Sequence, residues 1–507
     1  MKKAIYLAKK RSRTVVSGAL LLLLSYPGGT AFGNTGYPLL LYNHTYTLKR
    51  ASPLEQALRT GDASLTTETE LLNEAKEAIQ DYDDKRKQAL ITLLNLDSNG
   101  TPTAQSLTSI DWNPSHDSVW FDSAQLDKSF PILISNDSFK KDSSAQKKLA
   151  VAGFIGEARF AALGGNPFHD LTRTTEPGGS GNEQLGTYLK NLIAWLTQQA
   201  DPTTNADFRV VIAHQSDSYW FKHDATTHDW FGTNYPLATI NAPDSCESAL
   251  LAGCLTQADL LVIGRDNGDN DNHGIPFDLD ATMQAVRNAQ DNGIPVLYVQ
   301  FDGGQNDLGN ALMAHFGLVK TDNYWQQEML TAYNPSGLYG QNALSDIETL
   351  VDHFINKDFP TDLLDCDQNT YSQCTDQGVF GAELGAGADQ IRTAITAADA
   401  AGHDLFAADS SRLLKPLILL GDKYRAGDAQ TPAISYPIAQ PNPIDQAGLS
   451  AFARAIMADW SVYYTRRINP GQKDLGTFIC EKTLVTEGTC QMYSLPATTE
   501  GTATETL

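Results

Sequence analysis

The stretch that most constrains the fold is KLAVAGFIGEARFAALGGNPFHD at 148–170. Two apolar runs, 149–154 and 159–163, flank Ile155, Gly156, Glu157 and Ala158. Gly156 supplies the backbone freedom of a tight turn, so the segment predicts a β-hairpin. Gly164, Gly165, Asn166 and Pro167 end the second strand abruptly. A helix-like stretch over 183–199 follows, and strands alternate with helices to about residue 320. Strands are predicted at 131–134, 208–213, 258–263 and 294–299, and helices at 280–292 and 308–316. The strands are continuous apolar runs, which argues for a mostly parallel sheet buried on both faces.

The flanks read differently. Residues 53–96 carry helical periodicity through Leu71, Leu72, Ala75, Ala78 and Ile79. Thr67 and Glu70 have the spacing of a capping box. Residues 34–50 read as extended and 101–128 as a polar loop, with Trp112, Trp120 and Phe121 packing on the next domain. Beyond residue 335 the strand signal fades, and helices are expected at 344–356, 388–401, 411–420 and 447–467. At 507 residues the chain is too long for one core, since domains average about 150 residues. The expected parts are a targeting segment (1–33), an extended and helical segment (34–104), an α/β domain (105–332), an all-α helical domain (333–492) and a disordered tail (493–507).

The targeting segment has a basic start (Lys2, Lys3, Lys9, Lys10, Arg11, Arg13), an apolar core over 15–24, and Ala31 and Gly33 placed for cleavage. It reads as a secretory signal peptide, too short to span a membrane, and predicts an extracellular or periplasmic protein. No other run is long enough for a membrane span. The chain carries 37 basic and 60 acidic residues, a net charge of −23. Such a surface repels phosphate backbones, which argues against nucleic-acid binding. The six cysteines fall in three local couples. Disulfides Cys246–Cys254, Cys366–Cys374 and Cys480–Cys490 are the simplest pairing for an oxidising compartment. Zinc ligation is the rival, but no couple has C-x-x-C spacing.

Two loops could carry chemistry. The first, 265–274, clusters acidic residues after a strand. Asp269, Asp271 and Asp280 fit positions 1, 3 and 12 of a calcium loop, with Gly274 at position 6. His273 at position 5 and Asp at position 12 depart from the template, and a polar run of Asx turns is the other reading. The second, 218–235, is unusually aromatic. Tyr219, Trp220, Trp230, Phe231 and Tyr235 could stack on sugar or peptide, with Asp224 and Asp229 accepting hydrogen bonds. Alternatively the rings form a small core. If the first reading holds, the two loops make one cleft at the carboxyl ends of the strands, where open α/β sheets collect ligands.

The segment 258–264 followed by 293–299 resembles the class I glutamine amidotransferase-like (flavodoxin-like) fold. That fold implies a nucleophilic cysteine at the turn after the second of these strands. Here the turn is Gln300, Phe301, Asp302, Gly303, Gly304 and Gln305, so the resemblance implies a degenerate, non-catalytic domain. Together with the signal peptide, the hairpin VAGFIGEARFAALGGNPF and the segment ARAIMADWSVYYTRRINPGQKDLGTFIC, the chain resembles the N-terminal half of the immunomodulating-metalloprotease family, over roughly 35–490. The family implies secreted, enhancin-like zinc peptidases acting on O-glycosylated, mucin-type proteins. No His in this sequence is followed by Glu, so the H-E-x-x-H zinc site has no counterpart to carry over. The resemblance therefore implies a non-catalytic accessory protein that recognises glycoprotein or scaffolds a metallopeptidase domain. The alternatives are a truncated or split peptidase, or a metal-dependent hydrolase using the 266–280 loop.

Overall fold

A computed structural model describes residues 51–108, 110, 112, 118–134, 148–172, 182–215, 223–265, 277–300, 306–324, 335–340, 342–356, 381–400, 402–407, 410–426, 435–437, 476–478 and 489–494. The hairpin forms where the sequence places it. Strands β3 (Lys148–Ile155) and β4 (Ala158–Leu163) pair antiparallel about Gly156, whose φ is +59°. Before them come β1 (Ser118–Ser123) and β2 (Ser129–Ile134), and after them β5 (Arg209–Ala213), β6 (Thr239–Ile240), β7 (Leu260–Ile263), β8 (Val296–Val299) and β9 (Leu318–Tyr324). Seven of these make one sheet in the order β2-β3-β4-β8-β7-β5-β6. The β2-β3-β4 edge is antiparallel and the pairs from β4 onward are parallel.

Successive side chains of a strand point to opposite faces, and here both faces are covered. Val210 and Ile212 join one apolar cluster, while Val211 and Ala213 join another. Helices α1 (Pro53–Thr60), α2 (Glu68–Leu94), α3 (Pro167–Thr172), α4 (Glu183–Thr197) and α5 (His223–Asn234) contribute to the first cluster. Helices α6 (Leu251–Cys254), α7 (Leu279–Asp291) and α8 (Asp307–His315) contribute to the second. This double burial is why the strands are continuous runs of Val, Ile and Leu.

Helix α2, at 27 residues, is the longest element described. Its N-terminus carries the expected capping box: Glu70 N–H donates to the Thr67 hydroxyl, and Thr67 N–H donates to the Glu70 carboxylate. Leu71, Leu72, Ala75, Ala78 and Ile79 are buried along it. It packs against α4 of the α/β layer and against α10 (Ser345–Asn356) and α12 (Leu414–Ala426), which follow the short α9 (Pro335–Gly340). Helix α11 (Gly381–Ala400) packs on α10. Buried Arg86 ties α2 to α9: its guanidinium pairs with Asp83 at 2.7 Å and donates to the carbonyls of Leu338 (2.8 Å) and Tyr339 (3.1 Å). One apolar core thus runs from the sheet through α2 into the later helices.

Several expectations are corrected. Residues 118–123, read as polar loop, form β1, which pairs antiparallel with β9 in a separate two-stranded sheet. Gly164 makes room for β1. A Cβ there would lie 2.1 Å from the Val119 carbonyl oxygen, and Val119 N–H donates to Gly164 O at 2.7 Å. Strands also occur beyond 335: β10 (Ser435–Pro437), β11 (Gly476–Phe478) and β12 (Thr489–Ser494) form a three-stranded sheet, so the chain is still extended where the tail was expected to begin. The expected signal segment, the expected helix at 447–467 and residues 495–507 lie outside the described residues. Among the described residues, no helix is long and apolar enough to cross a membrane.

Candidate functional site

Strands β4, β5, β7 and β8 run parallel and end nearly level: Leu163 is opposite Val299, Tyr298 opposite Ile263, and Ile263 opposite Ala213. The residues just past these ends are polar and buried: Asn166, His214, Gln215, Arg265 and Gln300. A polar row at the carboxyl edge of a parallel sheet is where such folds bind ligands. Burying polar groups is costly unless they are hydrogen-bonded, so their partners define what the row can do.

Asn166 organises the β4 end. Its Oδ1 accepts from the backbone N–H groups of Phe168 (3.0 Å) and His169 (3.3 Å), which fixes the amide orientation. Its Nδ2 then donates to His223 Nδ1 at 2.7 Å, so the His223 proton sits on Nε2. The neighbouring Asp170 accepts from Trp112 Nε1 at 2.9 Å, which joins this corner to the segment before β1.

At the β5 end, His214 has a left-handed φ of +52°, a conformation that costs a non-glycine residue energy and that the surroundings must impose. Those surroundings are a carboxylate clasp. The Glu247 carboxylate accepts from His214 N–H (2.8 Å) and from Nδ1 (2.9 Å). Ser248 N–H donates to His214 Nε2 at 3.1 Å, so Nε2 is an acceptor and Nδ1 is the nitrogen that donates to Glu247. Glu247 follows Cys246, which forms the expected disulfide with Cys254. The adjacent Gln215 is 2% exposed, and neither of its amide atoms finds a hydrogen-bond partner.

At the remaining ends, Asn306 donates to the Arg265 carbonyl and the Tyr298 hydroxyl donates to Gln300 Oε1. Burial raises the Tyr298 phenol well above its ordinary pKa, so it stays a neutral donor.

The described part of the aromatic stretch is not a loop. Residues 223–234 are α5, and its rings are core. Trp230 and Tyr235 are 4% and 1% exposed, and Phe231 is fully buried. Phe168 stands 5.0 Å from Trp230 and 5.6 Å from Phe231, ring centre to ring centre. These rings pack in the core between α5 and the sheet. Asp224 is buried and pairs with His228 at 3.2 Å, whereas Asp229 is exposed on the opposite side of the helix. Burial pulls the His228 pKa down, but the hydrogen bond and charge of Asp224 outweigh it and hold the pKa above its ordinary value. Tyr219 and Trp220 lie outside the described residues.

Of the three calcium candidates, Asp269 and Asp271 lie outside the described residues. Asp280 is exposed in the first turn of α7, whose N-cap is Asp278. Among the described residues, no three His, Cys, Asp or Glu side chains cluster to hold a metal ion. Cys366, Cys374 and Cys480 are also outside the described residues, and Cys490 lies in β12 opposite Tyr436. The polar row itself was missed from sequence, although polar residues directly after each apolar run were its signal.

Fold and site together define a mixed α/β protein with a polar carboxyl edge, continuous through one long helix with a helical layer. Residues 102–324 match the immunomodulating metalloprotease N-terminal domain, and residues 348–467 match the immunomodulating metalloprotease helical domain. The chain belongs to the immunomodulating metalloprotease family. Among curated proteins none matches. Among solved structures, it is similar to IMPa from Pseudomonas aeruginosa in complex with an O-glycopeptide, with 21% identity, a TM-score of 0.58, and coverage of 80% of this chain and 41% of that one. It is also similar to the IMPa metallopeptidase in complex with T-antigen, with 20% identity, a TM-score of 0.57, and coverage of 80% and 41%. The chain therefore spans about two fifths of the length of those structures.

Proposed function

We propose that this chain is a secreted, non-catalytic accessory protein that recognises O-glycosylated protein or scaffolds a metallopeptidase domain. The observation that carries the reading is the polar row. The parallel strands end in buried amides and an Arg, groups able to hydrogen-bond a ligand, beside a His clasped by Glu247, and Gln300 stands where an amidotransferase-like fold would turn into its cysteine nucleophile. On this reading the α/β domain is a degenerate amidotransferase-like fold. The amide of Gln215 supports it, because a buried group without a partner costs about 1–3 kcal/mol that a bound ligand would recover. The complexes of the similar structures with T-antigen and an O-glycopeptide support the choice of ligand class.

The test is to incubate the purified chain with an O-glycopeptide and follow both binding and peptide mass. Saturable binding with unchanged mass is expected. Cleavage of the peptide would show a peptidase instead. A separate second reading, that this chain is one part of a longer peptidase, is favoured by a single observation: coverage of only 41% of the similar chains.

A further inference from the structure

A cavity of about 390 Å³ lies where the β2-β3 edge meets α2 and α11. Its existence follows from sequence. Helix α11 turns Ala386, Gln390, Thr393 and Ala394 toward it, a stripe at i, i+4, i+7 and i+8 whose residues are too small or too polar to fill the space. The opposite wall is apolar, with Phe130, Val151, Leu344 and the ring of Tyr82. The volume falls in the range of small-molecule sites, which are mostly apolar with a few placed polar groups.

The polar groups here are of complementary kinds. Lys148 Nζ and Asp122 Oδ1 form an ion pair at 2.5 Å on the cavity wall, both partly exposed. Gln390 donates through Nε2 to the Asp346 carboxylate at 3.2 Å, which fixes the amide orientation, because the reversed amide would set oxygen against oxygen. Its Oε1 is then left buried and without a hydrogen-bond partner. The cavity thus offers one cation and one anion beside an apolar wall, with the Gln390 side chain fixed behind it.

We propose that this cavity binds a free hydrophobic α-amino acid. Its carboxylate meets Lys148, its ammonium meets Asp122, and its side chain covers Phe130 and Leu344. The site shares no residue with the carboxyl-edge row, so it stands or falls separately from the proposed function.

The experiment is calorimetric titration and thermal melting of the full chain with L-phenylalanine, 3-phenylpropionate and phenethylamine, each to about 10 mM, above the ~1 mM dissociation constant of a weak specific site. L-Phenylalanine is expected to bind saturably and raise the melting temperature. The two analogues, each lacking one charge, are expected to bind at least about tenfold more weakly. Lys148→Gln should bring L-phenylalanine down to the affinity that phenethylamine has for the same variant. Absence of saturable L-phenylalanine binding, or equal binding of all three compounds, overturns the proposal without recourse to any variant.

Discussion

Replacing Trp230 separates a core role from a ligand-facing role most sharply. The indole is 4% exposed, with ring centres at 5.0 Å to Phe168, 5.1 Å to Phe231 and 5.7 Å to Tyr235. A buried Trp removes roughly 200 Å² from water. At about 25 cal/mol per Å² that is about 5 kcal/mol, an upper bound because the unfolded chain already hides part of that area. Trp230→Ala keeps the Cβ but opens a cavity among three rings, so the expected cost is about 3–5 kcal/mol. Trp230→Phe keeps one ring against Phe168 and should cost clearly less. Urea unfolding followed by circular dichroism reads both. A loss below about 1 kcal/mol for Trp230→Ala, typical of surface substitutions, would refute the placement of these rings in the core.

Three further outcomes follow from named contacts. Cys246→Ala with Cys254→Ala opens an eight-residue separation and should cost about 2–3 kcal/mol by loop-closure entropy, read as a lower melting temperature in the double variant. Arg86→Met removes a buried cation that holds Asp83 and two α9 carbonyls, and a loss of about 3–5 kcal/mol is expected, measured by urea unfolding. The His228 pKa is raised above its ordinary 6.5, so folding favours the charged imidazole. The stability difference between wild type and His228→Gln should therefore be complete below about pH 6.5 and disappear as pH rises through the folded-state pKa, read from melting curves across pH.

The sequence was legible where local pattern and burial agree. The hairpin, the parallel strands β5, β7 and β8, and α7 are placed within a residue or two, because strands buried on both faces must be apolar throughout; the two-residue edge strand β6 was not. The capping box of Thr67 and Glu70 was equally plain, since it is a purely local device. Helix α5 was not legible. His223–Asn234 carries three threonines, a glycine and two asparagine or aspartate-rich turns, all weak helix formers, and tertiary packing of Trp230 and Phe231 overrides them. Strands β1 and β9 were hidden for a related reason. They pair across about 200 residues of chain, so neither shows its partner locally. The His214 clasp was illegible because it depends on Glu247, which reaches the strand end through folding alone.

The central claim is recognition at the carboxyl edge without chemistry, and Gln215 tests it most directly. Its amide makes no hydrogen bond in the fold, so Gln215→Leu removes an unmet polar group and should leave stability unchanged or slightly higher. Calorimetric titration of wild type and Gln215→Leu with an O-glycopeptide and with the same peptide unglycosylated is the measurement. The account predicts saturable binding of the glycosylated form to the wild type, weakened at least about tenfold in the variant, which is about 1.4 kcal/mol. Equal binding of wild type and variant, or no preference for the glycosylated peptide, would contradict it.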